Sequence, residues 1–141
     1  MRHTLPKAAL CLLAALASLA SCDNKRDTNG DLGGMWQLTE WRDQRDSLVA
    51  TNKQQIYYSF QLELMKIQRI GDGTYYLALF THTQDSLIVL SIYNRPDEEL
   101  VSLEDMREYG IPQDGRFHID ALSESHLVLS GQEGTLAFRK Y

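Results

Sequence analysis

Residues Gln55 to Ile70, QIYYSFQLELMKIQRI, carry the clearest alternation in the chain. Ile56, Tyr58, Phe60, Leu62 and Leu64 fall on one parity, while Tyr57, Ser59, Gln61 and Glu63 fall on the other. A period of two marks a half-buried β-strand, because successive side chains leave a pleated backbone on opposite faces. After Leu64 the phase slips, and Met65 and Ile67 become the apolar positions, interleaved with Lys66 and Gln68. Two solutions absorb such a slip: a β-bulge, or two strands meeting at a tight corner near Leu64. Both curl a sheet.

The same logic extends outward. Gly71-Asp72-Gly73 reads as a hairpin turn, returning into TYYLALFT (Thr74 to Thr81) and then, past His82 to Asp85, into SLIVLSIY (Ser86 to Tyr93). These two strands are apolar on both faces, so either they lie centrally or something covers them. A helix is the expected cover. Ser102 is a good N-cap, Glu104 and Asp105 sit in the first turn, Gly110 and Pro112 stop it, and Leu100, Leu103 and Met106 form its stripe. Three short strands follow: Gly115 to Leu122, His126 to Ser130 and Thr135 to Tyr141. Upstream, Trp36 and Leu38 alternate with Met35, Gln37, Thr39 and Trp41, which places Trp41 outward, and the polar run Arg42 to Gln54 reads as a loop. The sum is an all-β, antiparallel domain of about eight strands with one short helix before the last three: a meander, sandwich or barrel.

The N-terminus has a different composition. Arg2 and Lys7 precede the run Ala8 to Ala20, whose thirteen residues fall short of the roughly 20 needed to span a bilayer. Leu19-Ala20-Ser21-Cys22 resembles the lipobox of bacterial lipoproteins, which implies a signal peptide over residues 1–21 and acylation of Cys22. Residues 22–31 then read as the lipidated cysteine and a polar tether, with Gly33-Gly34 as a flexible joint. Cys11 leaves with the signal, so the mature domain has no free thiol, disulfide or cysteine metal site. Loss of Arg2 and Lys7 leaves 12 basic against 19 acidic side chains, a net charge of −7. That balance offers no basic stripe for nucleic acid. The expected location is the cell envelope, lipid-anchored, at the outer membrane.

Gly34-Met35-Trp36 opening the first strand, the meander, the late helix and the closing Phe138-Arg139-Lys140-Tyr141 together resemble the small lipocalin-like (calycin-type) lipoproteins of Gram-negative anaerobes. The resemblance covers residues 32–141. It implies an up-and-down barrel in which Trp36 plugs one end with Arg139 stacked on it. The helix lies earlier than in typical lipocalins and the chain is shorter, which implies a narrower cavity or none.

Chemistry is sparse. His82, His118 and His126 lie on polar parity, in a turn or at a strand start and read as solvated surface histidines, His118 and His126 lying across a hairpin from one another; a catalytic zinc needs at least three converging ligands. No nucleophile elbow or phosphate loop occurs, and the acids sit in turns and the helix start. The reading is a protein without enzyme activity, metal or cofactor. Tyr58 and Phe60 share a parity with aliphatics, as Tyr75 does with Leu77 and Leu79. These five either line a small apolar ligand or form a core with hydroxyls at the rim. Asp46-Ser47-Leu48 and Asp85-Ser86-Leu87 resemble an O-glycosylation acceptor, at Ser47 and Ser86. Function divides accordingly. One expectation is an anchored binder of a small apolar or amphipathic ligand, and the other is a solid barrel contacting envelope proteins as an inhibitor or accessory subunit.

Overall fold

In the computed structural model, which describes residues 28–141, the slip in the Gln55–Ile70 stretch is a two-residue hairpin. Strand β3 (Ile56–Gln61) pairs antiparallel with β4 (Leu64–Arg69), Gln61 opposite Leu64, and Leu62 turns the chain at φ 53°. The tight-corner alternative therefore holds. Leu62 and Leu64 leave the buried face that Ile56, Tyr58 and Phe60 occupy, and Met65 and Ile67 take it up on the return.

The remaining strands are β1 (Gly34–Arg42), β2 (Leu48–Thr51), β5 (Tyr75–His82), β6 (Ser86–Arg95), β7 (Leu100–Val101), β8 (Arg116–Leu122), β9 (His126–Gly131) and β10 (Gly134–Lys140). Eight of the ten form a ring in the order β1-β3-β4-β5-β6-β8-β9-β10, and β10 closes back on β1. This is a closed, eight-stranded, antiparallel, up-and-down barrel. The other two strands extend the wall: β2 pairs with the end of β1 and β7 with the end of β6. The segment expected to be a loop, Arg42 to Gln54, thus contains β2 and a 3-10 turn, Asn52–Gln54, closed by a reciprocal Thr51–Gln54 capping box. Leu48 and Val49 are exposed, so this strand carried no alternating apolar signal.

Curvature comes from bulges at positions the alternation did not announce. In β1 the register against β10 shifts between Leu38 and Glu40, so one residue of β1 has no partner. Parity inverts there. Leu38 faces Phe138, and Trp41 faces Leu136 from the same inner side. Trp41 is therefore buried in the core, not outward as strict alternation placed it, and its indole N–H donates to the Glu133 carbonyl at 2.7 Å. Similar shifts occur between β5 and β6 and between β8 and β9. Each adds local twist, which closing a sheet requires.

The folded part begins before the expected tether ends. Asn29 is buried, with its amide donating to the Leu62 carbonyl, and Gly30–Leu32 form a 3-10 turn that buries Leu32. Gly34 is a structural requirement, not a loose joint. It sits in β1 at φ 108°, and a Cβ there would stand 3.2 Å from Lys140 Nζ. The expected signal peptide (residues 1–21), the expected acylation site Cys22 and the expected tether up to residue 27 lie outside the described residues.

Candidate functional site

The barrel interior is the first place to look for a site, and side chains fill it. Trp36, Leu38, Tyr58, Phe60, Met65, Ile67, Leu127, Leu129, Leu136 and Phe138 are essentially inaccessible to solvent and belong to one apolar cluster. Their rings interlock: Tyr58 lies 4.8 Å from Phe138 and 6.5 Å from Phe117, and Phe60 meets Phe80 edge-on at 5.1 Å. Of the five residues expected to line a ligand, Tyr58 and Phe60 do point inward, as core. Tyr75, Leu77 and Leu79 do not. On β5 the inward parity belongs to Tyr76, Ala78 and Phe80, and Leu79 is exposed on the outer wall. Both parities of this strand are apolar, so alternation alone could not say which faced in.

Each end of the barrel has its own closure. At the lower end Trp36 is fully buried and donates its indole N–H to the Leu32 carbonyl at 2.8 Å. The cation stacked on it is Lys140, 4.3 Å from the ring, and not Arg139. Register decides this: Lys140 lies directly opposite Trp36, whereas Arg139 lies opposite Gln37 on the outer face. Lys140 also donates to the carbonyls of Asp31 (2.9 Å) and Gly33. Arg139 instead donates to Gln37 Oε1 at 2.9 Å, and Gln37 in turn donates to the Tyr57 hydroxyl at 3.1 Å.

The upper end is closed by the segment expected to cover the sheet. The helix is a 3-10 helix, Glu104–Tyr109, whose N-cap is Leu103 and not Ser102 as expected, although Ser102 Oγ accepts from the Asp105 amide at 3.2 Å; it caps the mouth and does not lie on the wall. Met106, Tyr109 and Ile111 are buried and supply the stripe; Leu100, assigned to that stripe from the sequence, is exposed in β7. Tyr58 ties plug to core, its hydroxyl donating to the Tyr109 carbonyl at 2.6 Å. Burial pushes the Tyr58 hydroxyl well above the usual tyrosine pKa near 10. Tyr109 is pushed the same way, first by burial and then by Tyr76 and Asp72. Its hydroxyl donates to Asp72 at 3.1 Å, its ring meets Tyr76 edge-on at 5.3 Å, and the Arg69 guanidinium lies 4.8 Å above it.

Polar candidates do not converge. His118 pairs across the hairpin with Ser130, and its Nδ1 lies 2.6 Å from Asp120; His126 pairs with Arg139, near the other end of that hairpin. Among the described residues no three His, Cys, Asp or Glu side chains are placed to hold a metal ion. Ser47 lies in an exposed turn, and Ser86 opens β6 with its hydroxyl 2.7 Å from that of Thr83. Concave surface lies on the outside. One hollow of about 540 Å³ sits where β6 and β8 pair over only three positions, rimmed by Gln44, Arg116 and His118. Another, of about 560 Å³, lies at the lower rim between Asp31, His82 and Leu122.

The lipocalin-like domain model matches residues 16–141, the whole barrel included. The chain belongs to the lipocalin-like domain family. The barrel of this lipocalin-like protein is similar to that of a solved lipocalin-like protein from Bacteroides uniformis ATCC 8492. That match has 24% identity and a TM-score of 0.59, covering 79% of this chain and 100% of the other. An uncharacterized protein from Bacteroides eggerthii DSM 20697 matches at 21% identity and a TM-score of 0.55, over 78% of this chain and 99% of its own. Identities this low carry the fold and nothing finer. No curated protein matches significantly. Eight-stranded barrels have an interior just wide enough to be filled by side chains or to hold one small ligand. In this family member Trp36, Tyr58, Phe60 and Phe138 take up that space.

Proposed function

We propose that this lipocalin-like protein is a non-catalytic, lipid-anchored interaction module of the cell envelope, with a solid barrel and its recognition surfaces outside. The observation that carries the reading is the filled interior. The aromatic and aliphatic side chains that would line a ligand chamber are in contact with one another, and both mouths are closed. The anchor and the outer-membrane location rest on Leu19-Ala20-Ser21-Cys22 at the end of the apolar run. A partner would then be an envelope protein that uses the outer wall, including the β6–β8 hollow.

Native mass spectrometry on protein purified from its own envelope tests this. The expected result is a mass equal to the acylated chain alone. Mild cross-linking should also yield one defined complex, linked through outer-wall residues. One small molecule retained per chain overturns the reading. A specific feature favours a small ligand as the second reading: a 3-10 turn closes the upper mouth, and no sheet pairing holds it there. Displacement of that turn would uncover Tyr58, and a retained ligand lost on tethering the turn to the wall would select this reading.

A further inference from the structure

The outer wall of β4, β5 and β6 exposes a run of large apolar side chains. Cross-strand register places Leu64 beside Leu79, and Leu77 beside Tyr93, which itself pairs with Leu100. Leu62 at the hairpin tip and Leu90 in the β6 bulge complete the surface. Leu62, Leu64, Leu79, Leu90, Tyr93 and Leu100 are between 42% and 70% exposed. They account for six of the ten large hydrophobic side chains exposed among the described residues. Two adjoining hollows share Leu64 and Leu79. One, of about 380 Å³, reaches Leu62 and Thr28, and the other, of about 350 Å³, reaches Leu77, Tyr93 and Arg95. Contiguous exposed apolar surface of this kind marks a contact surface.

The position of the N-terminus selects the occupant. Thr28, the first described residue, lines the lower hollow, and Cys22 is six residues before it. An extended chain gains at most about 3.6 Å per residue, so Cys22 lies within roughly 22 Å of this surface. Acyl chains on Cys22 would hold the chain at the headgroup layer, which together with the core makes a bilayer about 40–45 Å thick. The tether is therefore too short to carry the patch far from the membrane.

We infer that the β4–β6 wall rests on the bilayer that holds Cys22, so the barrel lies on its side, with the β8–β10 wall turned to solvent. The inference rests on the proposed acylation of Cys22. Five leucines and a tyrosine make the contact, with Lys66 and Arg95 at its edges, a composition suited to a membrane interface. Glu63 and Glu98 border the two hollows, so the attraction is apolar and does not depend on anionic lipid.

The mature domain contains no cysteine other than Cys22, which permits single-site labelling. The full acylated chain carrying Leu79→Cys or Leu90→Cys, and a control carrying Thr135→Cys on β10, are labelled with an environment-sensitive dye. They are reconstituted in vesicles of phosphatidylethanolamine with or without phosphatidylglycerol. Mass spectrometry first establishes acylation at Cys22. The expected result is a blue shift at 79 and 90 and severalfold weaker quenching by iodide than at 135, unchanged by phosphatidylglycerol or salt. An acylated chain whose 79 and 90 labels quench like 135 overturns the docking face while leaving the anchor standing. An unacylated Cys22 overturns both. Protection that follows protein density and persists in detergent without lipid assigns the face to a second copy instead and overturns the bilayer assignment.

Discussion

Tyr58→Phe isolates the bond that ties the upper plug to the core. The substitution removes one oxygen and keeps the ring, so the contacts with Phe138 at 4.8 Å and Phe117 at 6.5 Å persist. What is lost is the 2.6 Å hydrogen bond to the Tyr109 carbonyl. Both residues are buried, so water does not readily replace the hydroxyl. Deleting one partner of such a bond costs the desolvation of the group left behind, about 1–3 kcal/mol, more than the average net value of a hydrogen bond. For a domain of this size that corresponds to roughly 4 °C in Tm per kcal/mol. Truncating the ring as well, as in Tyr58→Ala, adds a cavity and raises the loss to about 3–5 kcal/mol. Urea unfolding should show the Tyr58→Phe midpoint falling with an unchanged slope, because the surface exposed on unfolding is the same. Amide exchange should quicken first at Gly110 and Ile111, whose N–H groups donate into the plug at Arg107 and Met106. A loss below about 0.5 kcal/mol with plug exchange unaltered would refute the reasoning, since it would mean that the Tyr109 carbonyl already has access to water.

The same hydroxyl predicts an alkaline limit. Burial raises the pKa of Tyr58 in the folded state, so its stabilisation is complete below the unfolded value near pH 10 and is lost as pH rises above it. The slope should be about 1.4 kcal/mol per pH unit from this residue, absent in Tyr58→Phe, as read by urea midpoints between pH 9 and 11. Lys140→Met should cost about 1–2 kcal/mol through loss of the Trp36 stack and the bond to the Asp31 carbonyl. Arg139→Met should cost nearer 0.5 kcal/mol, and the reverse order would show that Arg139 is the end-closing cation. Gly134→Ala places a Cβ against the Arg42 carbonyl oxygen and 2.7 Å from the Asp43 Cα, at φ 104°. Neither obstacle is a movable side chain, so a loss of about 3 kcal/mol or more is expected by thermal denaturation, with β10 separating from β1.

The Gln55–Ile70 alternation was legible because one face of β3 and β4 is core while the other carries Ser59, Gln61, Lys66 and Gln68 between its apolar residues. The late segment was legible as helical through its acidic first turn, Glu104 and Asp105, and through Gly110, but its place was not. A short amphipathic turn needs an apolar cavity to fill, and a barrel mouth offers one as readily as a sheet face. Trp41 was misplaced because a bulge costs a strand one residue of phase without leaving any mark in the residue types. Tyr75, Leu77 and Leu79 were misassigned because both faces of β5 are apolar.

The sequence alone therefore determined the class of fold, the glycine-bearing hairpin turns, the inward faces of β3 and β4 and the absence of cysteine after residue 22. These follow from local periodicity, turn residues and composition, which act over a few residues. Tertiary structure decided the rest: which eight strands close, that Lys140 stacks on Trp36, that the 3-10 turn plugs the mouth, and that the leucines of the β4–β6 wall face outward. Each of these depends on register between strands far apart in the chain. Register is set by how the whole interior packs, and no local pattern encodes it.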